Sequence, residues 1–256
     1  MKVAHEPATE PAPAGTGRRR RGIAVLPSLF TLANMFCGYA CVVYAMRGEY
    51  GMAAPLIGIA VVLDMLDGRI ARMTGTASEF GVQFDSMADV ISFGMAPAIL
   101  AFAWGLSALG RLGWAAAFLF VTAAALRLAR FNVQAGSTDK RYFIGMPSPA
   151  AAGVVAATVF AYPAGFSEIQ FALPLVLLVV VPAALMVSTI RYRAFKSLDT
   201  QSRHPFRLLI LFAVFITALV TRPQEVLVIL AYGYLISPLI GAVMGKMRRP
   251  DPAQAG

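Results

Sequence analysis

Charge is what this chain has least of. Only 14% of its 256 residues are charged, where a soluble globular domain carries about a quarter. That shortage excludes an ordinary water-soluble fold, because too little polar surface remains to cover a sequence that is 58% hydrophobic. Two cysteines and two histidines exclude a zinc site of ordinary make-up, which takes about four nitrogen or sulfur ligands. Cys37 and Cys41 lie one helical turn apart in an apolar run and read as small buried hydrophobes. His5, in a polar tail, and His204, in a charged loop, read as solvated. No apolar stretch precedes the basic cluster at residues 18–21, so residues 1–22 are not a secretory signal peptide. Apolar stretches such as 173–187 do not alternate with polar residues, which excludes a transmembrane barrel. Neither an internal repeat nor a soluble domain is apparent.

What the chain does have is long apolar runs. Eight approach the ~20 residues that cross a bilayer: 24–46, 51–71, 86–107, 112–130, 149–165, 169–190, 206–222 and 225–244. Lipid-exposed backbone has to satisfy its own hydrogen bonds, so the expected fold is an all-α polytopic membrane helix bundle of about eight helices. The basic residues orient it. With the N-terminus in the cytoplasm, only Arg47, Arg111 and Arg222 of the 22 lysines and arginines fall on the opposite side. Both termini then lie inside. The net charge of +9 thus belongs to membrane topology, and no nucleic-acid partner is expected. The four arginines at 18–21 also favour an anionic cytoplasmic leaflet.

Against this scarcity of charge, Asp64, Asp67, Asp85 and Asp89 stand out. A carboxylate in a membrane segment is costly and normally faces a polar cavity with a function. Asp64 and Asp67 are three apart and Asp85 and Asp89 four apart, so each pair shares one face of its helix. Two packed helices would gather four like charges, a conflict that divalent cations remove. An all-oxygen ligand set suits Mg2+ or Mn2+, and four carboxylates suit two ions in phosphoryl transfer. Gly68 and Gly81 leave room for a phosphate or nucleotide near the backbone, and Arg72 offers a phosphate its fork of donors. Thr31 and Asn34, on one face of the first helix, are candidate nucleotide contacts.

The run Asp64-Met65-Leu66-Asp67-Gly68-Arg69-Ile70-Ala71-Arg72, with Gly81, Asp85 and Asp89, resembles the complete signature of the CDP-alcohol phosphatidyltransferases. That resemblance implies a six-helix core, commonly a homodimer. It implies transfer of a phosphatidyl group from a CDP-linked lipid to an alcohol with release of CMP. Two metal ions would rest on the four aspartates, Asp89 would act as general base, and Ala71 would complete the nucleotide-binding motif. Three further segments are similar to the membrane-embedded phosphatidylserine synthases of bacteria and archaea: residues 26–34, residues 127–132 with 143–151, and residues 186–196. This similarity implies CDP-diacylglycerol as donor and L-serine as acceptor. Arg127, Arg130, Asn132 and Arg191 are candidates to hold the serine carboxylate.

The expected organisation is a disordered basic cytoplasmic tail at 1–22, a catalytic transmembrane core at 23–200, two peripheral helices within 201–246, and a disordered stub at 247–256. The site would open to the cytoplasmic leaflet of the inner membrane. Three other readings compete. Another acceptor, such as glycerol phosphate or an inositol phosphate, would want a denser basic pocket. An intramembrane prenyltransferase would not demand Gly68, Ala71, Arg72 and Gly81 at these spacings. A cation-coupled transporter would be expected to show inverted repeats and helices broken at the midplane.

Overall fold

The computed structural model describes residues 16–74, 78–134, 142–165, 172–193 and 205–247. The architecture is helical, as the composition requires. Helix α1 (Thr16–Met46) turns sharply into α2 (Tyr50–Thr74) through Gly48, whose φ of +76° suits glycine. The two helices pack closely along a seam that includes Cys41, Ala45, Ala53, Ala54 and Ala60, all buried. Small side chains let membrane helices approach in this way. The expected tail boundary at residue 22 is not where α1 begins. Residues 16–22 already form its first turns, and residues 1–15 lie outside the described residues.

Helix α3 (Glu79–Asp89) opens on Ser78, whose Oγ accepts from the Gly81 N–H at 3.0 Å. It runs into one π-helical turn, Val90–Met95, and then α4 (Ala96–Trp104). Together they form a single apolar span, Glu79–Trp104. Pro97 has no N–H for the carbonyl four residues before it, and the widened turn stands just ahead of that gap. The π turn also seats Ser92, fully buried, against Gly38 of α1. A short 3-10 turn, Leu106–Leu109, leads into α5 (Arg111–Gln134). Helices α6 (Ser148–Ala161) and α7 (Ala172–Val187) complete the central bundle. Helices α8 (Pro205–Thr221) and α9 (Pro223–Met247) follow, with a bend of 118° between them.

Among the described residues four helices are long and apolar enough to cross a membrane, or five when the bent α8–α9 pair counts as one span. The eight runs read from the sequence exceed this count. Helix α6 has 14 residues, about 21 Å at 1.5 Å per residue, short of a ~30 Å hydrocarbon core. Among the described residues the only extended pairing is an antiparallel ribbon of β1 (Tyr142–Ile144) and β2 (Arg191–Arg193). It ties the segment before α6 to the segment after α7.

The bundle has two distinct ends. At one, the Tyr50 hydroxyl donates to the Ala103 carbonyl at 2.7 Å and the Trp104 indole to the Tyr162 carbonyl at 2.8 Å. Arg47, Arg111 and Arg222 stand in the turns of this end. The aspartates, Arg127 and Ser148 gather at the other.

The contact between Gly38 and the π turn is expected to be sensitive to a single methyl. A Cβ on Gly38 would lie 2.6 Å from Ser92 Oγ and 2.8 Å from Ser92 Cα. Gly38→Ala should therefore lower stability by about 1–3 kcal/mol, the usual cost of overpacking. Gly153→Ala, where nothing lies within 4 Å, should be neutral or slightly stabilising. Thermal unfolding midpoints in detergent compare the two.

Candidate active site

Helices α2 and α3 bring the four aspartates together. One carboxylate oxygen from each of Asp64, Asp67 and Asp85 lies within 4.8 Å of the others. Asp89, in the last turn of α3, lies within electrostatic range of all three. Asp67 and Asp89 are buried and the other two half-buried. Two unit charges 4 Å apart repel by about 4 kcal/mol at an effective dielectric near 20, so several such pairs oppose this arrangement. Two arginines offset part of it. Arg72 acts on Asp64 and Asp67, and Arg127 acts on Asp89 and Asp64. Four negative groups against two positive ones leave an excess suited to divalent cations. Asp85 Oδ1 is buried with no hydrogen-bond donor beside it, as a carboxylate oxygen reserved for a cation would be. Oxygen donors at this spacing fit a hard ion such as Mg2+ or Mn2+.

Helix α1 supplies the donors that orient two of these carboxylates. Thr31 Oγ1 donates to Asp67 Oδ2 at 3.0 Å, and Asn34 Nδ2 donates to Asp89 Oδ1 at 3.4 Å. Both side chains are buried. The sequence suggests them as nucleotide contacts, and the structure places both beside the aspartates, because their shared helix face lies against α2 and α3. Ser92 Oγ donates to the Asn34 carbonyl at 3.0 Å, which links the π turn to the same stretch of α1. The Asn34 amide has one sensible orientation: only its NH2 can face a carboxylate.

The phosphate candidates divide. The Arg72 guanidinium lies 3.7 Å from where a Gly68 Cβ would stand, an ordinary van der Waals separation, so it lies over the glycine. Arg72 is exposed and Ala71 half-buried. Gly81 sits in the first turn of α3 beside its cap, Ser78.

The acceptor candidates divide as well. Arg127 donates from Nη1 to Ser148 Oγ at 2.8 Å and lies 6.0 Å from the Phe131 ring centroid. Asn132 donates to Ser86 Oγ at 2.9 Å, which fastens α5 to α3 between Asp85 and Asp89. Arg130 is half-buried and makes no hydrogen bond or ion pair among the described residues. Arg191 opens β2 opposite Ile144, and its side chain lies outside what is described.

Ser148 and Ser86 were not read from the sequence as site residues. Ser148 lies in the 143–151 segment that the sequence singles out, but nothing local marks it or Ser86 as a partner, since Arg127 and Asn132 are each more than twenty residues away. Of the last two helices, both expected to be peripheral, α8 is exposed along most of its described length, whereas α9 joins the bundle. Helix α9 packs on α6, with the Tyr232 and Thr158 hydroxyls 2.9 Å apart, and the Tyr234 hydroxyl lies within electrostatic range of Arg127. Beside the site, Leu29, Leu32, Phe36, Tyr39 and Ile91 line an apolar groove of about 630 Å3.

Known proteins bear on these features. A family model described as CDP-alcohol phosphatidyltransferase matches residues 24–181. A Helicobacter pylori protein named CDP-diacylglycerol–serine O-phosphatidyltransferase is 40% identical over 221 residues, 84% of this chain and 90% of its own length. A Mycobacterium leprae protein of the same name is 31% identical over 227 residues, 85% of this chain and 74% of its own. An archaetidylserine synthase from Methanothermobacter thermautotrophicus is 36% identical over 170 residues, 65% of this chain and 69% of its own.

The hydrogen bond from Thr31 predicts a measurable effect on metal affinity. Removing a partner that orients a ligand typically costs 10- to 100-fold. Thr31→Val should weaken Mn2+ binding by about that factor, and Asp85→Asn by at least as much. Titration of the purified protein with Mn2+, followed by electron paramagnetic resonance of the free ion, measures both.

Proposed function

The chain belongs to the CDP-alcohol phosphatidyltransferase family, and from that premise we propose that it transfers the phosphatidyl group of CDP-diacylglycerol to L-serine. The products are phosphatidylserine and CMP. The observation that carries the reading is the convergence of all four motif aspartates from two helices, with Arg127 at their edge. The names of the relatives support serine as acceptor.

Asp64, Asp67, Asp85 and Asp89 would hold two Mg2+ or Mn2+ ions, whose contribution when bound is to neutralise the donor pyrophosphate and stabilise charge on the departing CMP. The residues of the chain do the rest. Thr31 and Asn34 orient two of the carboxylates. Arg72, beside Gly68 and Ala71, meets the phosphates, and Gly81 lets them approach the start of α3. Asp89 takes the proton of the acceptor hydroxyl as its oxygen attacks phosphorus. The acceptor's carboxylate is met by Arg127, with Arg130, Asn132 and Arg191 nearby in the chain order of the same end. No activated nucleophile stands in the site among the described residues, which favours direct attack over a covalent phosphatidyl-enzyme. The acyl chains of the donor follow the groove along α1, where lipid and site meet.

In the membrane we place the aspartate end at the cytoplasmic leaflet of the inner membrane, with both termini inside. The gathering of Arg47, Arg111 and Arg222 at the far end supports this orientation. In this arrangement the catalytic core spans 23–200, the helices within 201–246 are additions to a six-helix core in an eight-span protein, and the enzyme works as a homodimer.

Purified protein supplied with CDP-diacylglycerol and Mn2+ should release CMP only when L-serine is added. Release that depends instead on glycerol 3-phosphate or an inositol phosphate would keep the reaction class and overturn the acceptor. No release with any acceptor, from folded protein, would return the transporter reading. Asp89→Asn should lower kcat at least about a hundredfold, the lower range for loss of a general base, with little change in KM for the lipid. Near-normal turnover would remove Asp89 from that role.

A further inference from the structure

The Arg127 guanidinium stands between two sets of partners. Asp89, Tyr234 and Asp64 lie within its electrostatic range, and the Ser148 hydroxyl receives its Nη1 hydrogen bond. Among the described residues no ion pair closes between Arg127 and either aspartate, and Ser148 is its one hydrogen-bond partner. This is an unusual balance, because a guanidinium next to carboxylates ordinarily forms a bidentate pair with one of them. A closed pair would take up both the base and the donors intended for the acceptor.

The hydroxyl that holds Arg127 back is itself firmly placed. Ser148 is fully buried at the start of α6. The turn before it is bound to the end of α7: the Gly145 N–H donates to the Ile190 carbonyl at 2.8 Å, and the Met146 N–H donates to the Leu185 carbonyl at 2.9 Å. Gly145 has φ of +81°, and a Cβ there would collide with the Met186 carbonyl. Ser148 thus takes its position from a turn that is itself held by the end of α7. One of the five guanidinium N–H groups is spent on Ser148, which leaves the others to face an anion.

We propose that Ser148 is a positioning and specificity-determining residue: by holding Nη1 it keeps Arg127 off the aspartates and aims its remaining donors at the acceptor's carboxylate. The proposal rests on the acceptor reading above. It separates two roles within one short distance, the base at Asp89 for the hydroxyl and the cation at Arg127 for the carboxylate.

The test uses the full-length protein and two acceptors, L-serine and L-serinamide, which differ in the carboxylate. Serine-dependent CMP release by the wild type comes first, and its absence would remove the acceptor reading itself rather than the role of Ser148. Given that release, Ser148→Ala should raise KM for serine about tenfold, the scale of one hydrogen bond to a charged group. At saturating Mn2+ the KM for CDP-diacylglycerol should stay as in the wild type, Mn2+ affinity should fall as the released Arg127 competes for Asp64 and Asp89, and the preference for serine over serinamide should fall by about tenfold. In an Arg127→Gln background the same substitution should change nothing further, because Ser148 acts through Arg127. Ser148→Cys, which keeps the shape but accepts weakly, should behave like the alanine variant. Wild-type serine KM and preference in either variant, or an equal loss with and without Arg127, would overturn the proposal.

Discussion

Mutual repulsion among four carboxylates, two buried and two half-buried, is the constraint on which the rest of this structure depends. At an effective dielectric near 20 each close pair costs several kcal/mol, and the helices that carry them are set in apolar sequence. Everything around the cluster answers that cost. Arg72 and Arg127 supply positive charge from its two sides. Thr31 and Asn34 supply hydrogen bonds from α1. The remaining negative charge is a demand for divalent cations, so the cluster's strain and its binding function have the same origin.

Gathering the carboxylates requires three helices to approach closely, and small residues allow it. Alanines line the α1–α2 seam. Gly38 admits Ser92, and Gly94 faces Ala124. The π turn after Asp89 matters here because it changes the facing of the helix within one continuous span. Residues before it present carboxylates to the site, while residues after it, such as Leu100 and Trp104, return to the core. A π-helical turn beside a functional residue is a recurring device. In this chain its partner across the seam is the same helix that orients Asp89.

The motif was legible in the sequence because its geometry is local. Spacings of three and four put Asp64 with Asp67 and Asp85 with Asp89 on single helix faces, whatever the bundle does. Gly68 and Arg72 are one turn apart, and the Arg72 guanidinium lies 3.7 Å from where a Gly68 Cβ would stand. The acceptor end was not legible in the same way. Arg127, Arg130, Asn132 and Arg191 read alike, as polar residues near one face of the membrane. Packing separated them: Arg127 lies within electrostatic range of Asp89 and Asp64 while bound to Ser148, Asn132 fastens α5 to α3, and Arg130 makes no hydrogen bond or ion pair among the described residues. Helix α9 was also misjudged, since an apolar helix near the C-terminus carries no mark that one tyrosine approaches an arginine 107 positions earlier in the chain.

By itself, then, the sequence determined a helical membrane protein with a four-carboxylate site, because hydrophobicity, charge scarcity and helical spacing are properties of neighbouring residues. The tertiary structure alone decided which arginine faces that site, which hydroxyl restrains it and how Thr31 and Asn34 are used. Those are contacts between residues 21 to 55 positions apart. Such contacts depend on how helices cross and where a turn such as that at Gly145 is held, which no local pattern encodes.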